Sequence, residues 1–293
     1  MRSGKMKMSN CARRIAAAAA LAVPALVALA PTPARAQSWR TVTISRQISG
    51  EDALQVEVRY GAGRFTIRPI DEGVLYRMHL RYDEDIFEPV AEYDGHRVTL
   101  GVRNPGGSVK LRGKHSGGRM ELALGKGVAM DLDLKFGAVR GDIDLGGLSL
   151  TGLRLSTGAS EARLDVSEPN AERMDRASFE VGAADFKAMR LGNLNADHID
   201  VDAGVGSVEL SFTGSWQGKT SVSIDMGLGS LTLRFPEGLG VRIKKGGFLA
   251  TLDSQGLVKR GSAYYSLGWD DAAQRVSIDL NAAFGSVSVE WVR

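Results

Sequence analysis

The residues of this 293-residue chain best placed to do chemistry are carboxylates, and the sharpest set is Asp200, Asp202 and Asp225. Asp200 and Asp202 stand two apart in HIDVDAG, so an extended strand projects both from one face, and Asp225 holds the matching place in SVSIDMG. Carboxylates on neighbouring strands could bind a calcium ion or recognise a sugar. Calcium asks for six to eight oxygens and a tight ligand loop, and the GGxGxDxUx repeat that builds such loops does not occur. Asp131/Asp133 and Asp142/Asp144 share the same spacing, and acid pairs are the usual machinery of glycoside hydrolysis. All of these acids fall where strand alternation puts solvent-facing residues, so a mixed, solvated ladder accounts for them as well. No catalytic residue, metal ligand or cofactor site is assigned from them.

Other groups are weaker candidates. The segment YGAGRFTIRP, residues 60–69, carries a Gly-x-Gly, but a phosphate cradle needs a helix N-terminus behind the glycines. Here Phe65-Thr66-Ile67 continues as a strand, and Gly204-Val205-Gly206 and Gly227-Leu228-Gly229 run into strands too. His79, His96, His115 and His198 show no ligand spacing and form no nucleophile arrangement. Trp216, Tyr264, Tyr265 and Trp269 could form a sugar-binding strip, or cover loops and ends of the fold; Trp291 falls on an apolar register and is expected in the core.

The start of the chain has its own logic. Arg2, Lys5, Lys7, Arg13 and Arg14 precede an apolar run from Ile15 to Ala30 that leads to Ala34-Arg35-Ala36. Such a basic, apolar and small-residue succession is a secretory signal peptide, here residues 1–36, with cleavage expected before Gln37. The run is shorter than the 20 or so residues of a membrane span. Six of the chain's 37 Lys and Arg lie in this leader against none of its 34 Asp and Glu, so the remainder carries 31 basic and 34 acidic residues. That balance gives no electrostatic reason to bind nucleic acid or an anionic membrane. The only cysteine is Cys11, inside the leader, so the mature chain is expected to hold no disulfide, thiolate site or Cys nucleophile.

What positions the acids is a repeat. Aligning on a glycine that follows an alternating run gives Gly61, Gly137, Gly158, Gly182, Gly204 and Gly227, with a further copy at Ala283. Positions five, three and one before the anchor are nearly all apolar, as in Val222/Ile224/Met226; positions four and two before it are all polar, as in Ser223/Asp225. A second alternating run follows at positions four, six and eight, as in Leu231/Leu233/Phe235. The Gly182 copy reads one residue late, at Met189 and Leu191, which predicts a bulge. Each unit of about 22 residues is strand, glycine turn, strand and return loop, unable to bury its own apolar face but able to do so by stacking. The expected fold is all-β, a β-solenoid of stacked two-strand rungs over 126–293, with an irregular β-rich cap or lead-in domain over 37–125. A β-sandwich of hairpins also produces alternation, but does not explain one register recurring at a fixed period. In the cap, Val74–Tyr82, Ile86–Tyr93 and Arg97–Val102 read as antiparallel strands with a turn at Asp94-Gly95. Val241, Ile243 and Phe248 predict another rung near Gly246, Asp253–Trp269 a loop or hairpin, and Pro169–Arg176 a single helical turn.

GAGRFTIRP near the expected mature start, the recurring GVGSVEL and GLGSLTL, and the terminal AAFGSVSVEW resemble the bacterial toast-rack domains, which include the C-terminal domain of proteins that respond to cell-wall-active antibiotics, and related adhesin-like domains. The resemblance covers most of Gln37–Arg293. It implies a rack of short β-rungs in a cell-envelope protein, with no catalytic residues to carry over. The functional expectation is an exported, non-enzymatic binding or scaffolding protein, adhesin-like or associated with envelope stress, in the periplasm or outside the cell. Its partner would be an envelope component, protein or glycan, with self-association through exposed rung ends as a further route. The competing expectation is a carbohydrate-active enzyme on a parallel β-helix.

Overall fold

The structure is a computed structural model that describes residues 38–106, 117–246 and 249–293. The expected leader, His115 and Phe248 lie outside the described residues. The described residues belong to one compact unit. Its strands are β1 (Trp39–Gln47), β2 (Ala53–Ile70), β3 (Val74–Asp83), β4 (Glu88–Tyr93), β5 (Arg97–Arg103), β6 (Arg119–Gly125), β7 (Ala129–Asp144), β8 (Ser149–Asp165), β9 (Met174–Met189), β10 (Ala196–Ser211), β11 (Lys219–Pro236), β12 (Gly240–Gly246), β13 (Leu249–Asp253), β14 (Leu257–Arg260), β15 (Ala263–Ser266) and β16 (Arg275–Val292).

Seven long strands, β2, β7, β8, β9, β10, β11 and β16, each of 16 to 18 residues, are the rungs. They pair in that order, all parallel, so the stack is a solenoid. The two arms read from the sequence are one continuous strand: pairing runs on through the corner, with Val205 opposite Leu228 and Gly206 opposite Gly229. The strand bends there, which lets Met226 in one arm and Leu231 in the next both face the core although they stand an odd number of positions apart, with four residues between them. At the corner the second glycine has a φ of 142° at Gly206 and 143° at Gly229. L-residues rarely adopt such values, and a Cβ on Gly229 would overlap the carbonyl oxygen of Gly206.

The core is the stacked inner face, in which Val222, Ile224, Leu231, Leu233 and Phe235 of one rung lie over their counterparts in the next. Phe186 and Ala188 of β9 are fully buried and its register against β8 and β10 is constant. The bulge expected there is therefore absent, because Phe186 already supplies the inward position. The one irregularity between the long rungs falls between Met130 and Asp131. Return loops close the third side. Asn170, buried, donates to the carbonyls of Leu150 (2.8 Å), Glu172 (2.8 Å) and Leu194 (3.2 Å) and accepts from the Leu150 N–H (2.7 Å). Asn193, a turn further along, donates to Val166 and accepts from Ser215. A single 3-10 turn at Leu191–Leu194 sits in one return, whereas 169–176 holds no helix among the described residues.

The ends differ from the rungs. On one arm of β2 the ladder continues through β5 to β4, paired as the Asp94-Gly95 turn predicted; on the other it continues through β6 and β3 to β1. Beyond β16, β12 and β13 are the two arms of a last partial rung, with Val241 and Ile243 buried as expected. β14 and β15 form the hairpin expected within 253–269.

Candidate functional site

The corner of the stack gathers what the repeat places once per rung. Two positions before each corner anchor stand Arg59, Lys135, Ser156, Glu180, Asp202, Asp225 and Asn281, a rail of polar side chains on successive rungs. The anchors themselves are glycines except at Ala283, and with no side chains there the corner is a shallow groove. One position after the anchor runs a ridge: Ala62, Ala138, Ala159, Ala183, Val205, Leu228 and Phe284. Val205 is 52% exposed, Leu228 51% and Phe284 52%. Together they form a contiguous apolar stripe, unlike the scattered single exposures common on protein surfaces.

Both features are graded along the stack. The rail is basic at β2 and β7 and acidic at β9, β10 and β11, while the ridge grows from alanines to Val, Leu and Phe. Beside Ala62, at the small end, lies a small pit whose aromatic and apolar lining of Trp39, Tyr60, Phe87 and Val102 is joined by Arg81 and Asp83. Among the described residues the Tyr60 hydroxyl, buried there, has no hydrogen-bond partner, and burial pushes its pKa far above the usual tyrosine value.

The structure brings Asp200, Asp202 and Asp225 to one face of neighbouring rungs, with Asp202 directly opposite Asp225 and Asp200 opposite Ser223. Their situations differ. Asp200 pairs with Arg176, and Asp225 accepts from the Asn281 amide at 3.0 Å. Asp202 has no hydrogen-bond or ion-pair partner among the described residues. Desolvation, then the charges of Asp225, Glu180 and Asp200, raise its pKa. Among the described residues no group of three or more His, Cys, Asp or Glu is arranged to hold a metal ion.

The other acid pairs are engaged structurally. Asp131 meets Arg154 and Asp133 meets Lys135, each within 2.9 Å, and Asp142 meets Arg68 at 2.6 Å. Asp144 is half-buried and accepts the backbone N–H groups of Gly146 and Ser167; these bonds outweigh its burial and hold its carboxyl below the usual range. His79 bonds Thr43, and His198 lies against the carbonyl of Asp175. Gly61-Ala62-Gly63 lies within β2, with no helix behind it. Trp216 is buried in a return loop, where its indole donates to Phe212, and Trp291 is half-buried against Phe235 near the last rung. The exposed ridge was missed in the sequence, although the residue that follows the corner anchor is apolar in all seven long rungs and carries the signal.

No helix among the described residues is long and apolar enough to cross a membrane. No curated protein matches the chain. Among solved structures, a candidate cell adhesion protein from Clostridium sporogenes is 17% identical, covering 87% of this chain and 100% of its own at a TM-score of 0.48. A candidate adhesin from Bacteroides fragilis is 10% identical, covering 85% and 97% at a TM-score of 0.33. The model of the family described as "N-terminal domain of toast_rack, DUF2154" matches residues 34–188 and 176–234. That span takes in more than half of the 293 residues, five of the seven long rungs whole and most of a sixth, and the chain belongs to the toast-rack family.

Proposed function

We propose that this is an exported, non-enzymatic, adhesin-like binding protein of the cell envelope that uses the corner of its stack as an elongated recognition surface. The observation that carries this reading is the ridge of half-exposed Val205, Leu228 and Phe284 beside the acidic rail. A parallel ladder holds these side chains in fixed register before any partner arrives, so little ordering cost is incurred on binding. Apolar exposure of this continuity marks an interaction surface more than a solvated one. The raised Asp202 beside Asp225 is the nearest approach to a hydrolytic acid pair. Both are exposed, and among the described residues they stand on an open face that water reaches, unlike a closed active site.

The test exposes purified protein to isolated envelopes, peptidoglycan and a glycan panel, alongside a V205S/L228S/F284S variant. Retention on at least one of these, reduced about tenfold or more in the variant, is the expected result. Equal retention of variant and parent, or of neither, overturns the reading. Export has its own check: N-terminal sequencing of the protein recovered outside the cytoplasm should begin at Gln37.

A further inference from the structure

The corner surface is complementary to itself when its direction is reversed. Consider a two-fold axis through Ala183, the ridge residue of the fourth of seven rungs, which turns one corner face onto another with the stacks antiparallel. Phe284 then meets Ala62 of the other copy, Leu228 meets Ala138, Val205 meets Ala159, and Ala183 meets itself. Large residues face small ones at every step away from the axis, where alanine meets alanine, and the Phe284 ring arrives beside the pit next to Ala62, toward its aromatic lining of Trp39, Tyr60 and Phe87. The rail obeys the same symmetry: Lys135 meets Asp225, and Ser156 meets Asp202. One like-charged meeting remains, Glu180 with its own copy at the axis, where each Glu180 already accepts a hydrogen bond from Ser156. A parallel arrangement would instead set Phe284 against Phe284 and leave the alanine half empty.

We propose that the partner of this ridge is a second copy of the same chain, bound antiparallel through the corner as an isologous, two-fold contact. The proposal rests on the reading of the corner as a binding surface and names its occupant. Size and charge are separate properties of separate columns, and both select the same pairing. The ridge spans six rung spacings, about 29 Å at 4.8 Å each, which makes a narrow interface below the usual 800 Å² or so per partner. The association is therefore weak and transient in solution, and becomes effective where many copies are held together, as on a surface.

The test combines sedimentation of the full chain's secreted product, over about 1 µM to about 1 mM, with single-cysteine cross-linking, for which the described residues offer no competing thiol. Concentration-dependent dimer is expected, lost in K135E and in D225K, where like charges meet, and regained in the K135E/D225K double variant. Under mild oxidation A183C should cross-link to itself, L228C alone should not, and a mixture of A138C and L228C should. Monomer throughout the range overturns the proposal, as does self-cross-linking of L228C equal to that of A183C, or a double variant no better than either single one. Envelope retention that survives in a monomeric protein would sink the second-copy proposal alone, leaving the binding function standing. Dimer formation with no envelope retention does the reverse.

Discussion

Asp202 is the residue whose environment is least comfortable for its charge. It faces Asp225 and Glu180 on the adjoining rungs and Asp200 two residues away, with no cation paired to it among the described residues. Its pKa is raised in the folded chain. The stability linked to it is therefore fully present below the unfolded aspartate value, near 3.9, and is lost as pH rises through the raised folded value. At neutral pH the ionised side chain is a liability, so Asp202→Asn should stabilise the protein. Because Asp202 is exposed, solvent screening limits the gain to about 0.5 kcal/mol, or roughly 1–2 °C in Tm for a domain of this size. Thermal melts at pH 7 and pH 3 check this: the advantage of the variant should be seen at pH 7 and vanish at pH 3, and a variant less stable at pH 7 would contradict it. Asn170 presents the opposite case, a buried amide with all its bonds made across three successive returns. Asn170→Ala leaves several backbone groups unpaired and should cost about 2–4 kcal/mol in urea unfolding, whereas substituting the exposed Asn281 should cost little. The placement of Asp200, Asp202 and Asp225 was legible in the sequence because a two-residue period assigns faces. The difference between a paired Asp200 and an unpaired Asp202 was not, since it depends on which long side chain of the next rung reaches across.

A rung succeeds as an element because its corner bends without breaking the ladder. Gly229 combines a positive φ with a neighbour's carbonyl where a Cβ would stand. Gly229→Ala should therefore destabilise the stack by about 2–4 kcal/mol, combining backbone strain with displacement of the adjoining rung. Substituting Leu228 by serine, one residue away but pointing outward, should leave stability within about 0.5 kcal/mol. Chemical unfolding of the two variants side by side decides this, and equal losses would refute the geometry. The period, the buried face and the parallel stacking could all be read from the spacing of glycines and apolar residues. Continuity of the strand through the corner could not, because a glycine that ends a strand and one that bends it look alike in sequence. The supposed slip at Gly182 failed for a related reason: Phe186-Lys187-Ala188 is a complete inward, outward, inward set whose third member is small, so Met189 and Leu191 drew the register toward themselves.

At the scale of the molecule, the family match and the physics of the stack make different statements about where the chain can be cut. The matched span ends at residue 234, within β11. In the structure β11 is an interior rung, paired along 17 positions with β16 from Lys219 to Pro236. Cutting after Pro236 would bare that whole edge and uncover the outer side of Val222, Ile224, Leu231, Leu233 and Phe235, all of them buried in the intact chain. Stacked-repeat proteins need terminal units to shield their last interface, and a long, regular, exposed edge strand invites pairing with other chains. In the intact chain that shielding comes from β16 and then from the partial rung and hairpin of β12 to β15. A chain ending at Pro236 should therefore be recovered mainly as aggregate, retaining strand content in far-UV circular dichroism while losing a cooperative melt. A soluble, monomeric product with a sharp transition would show instead that the matched span folds alone, and that the last 57 residues are an addition to the rack and not its closure.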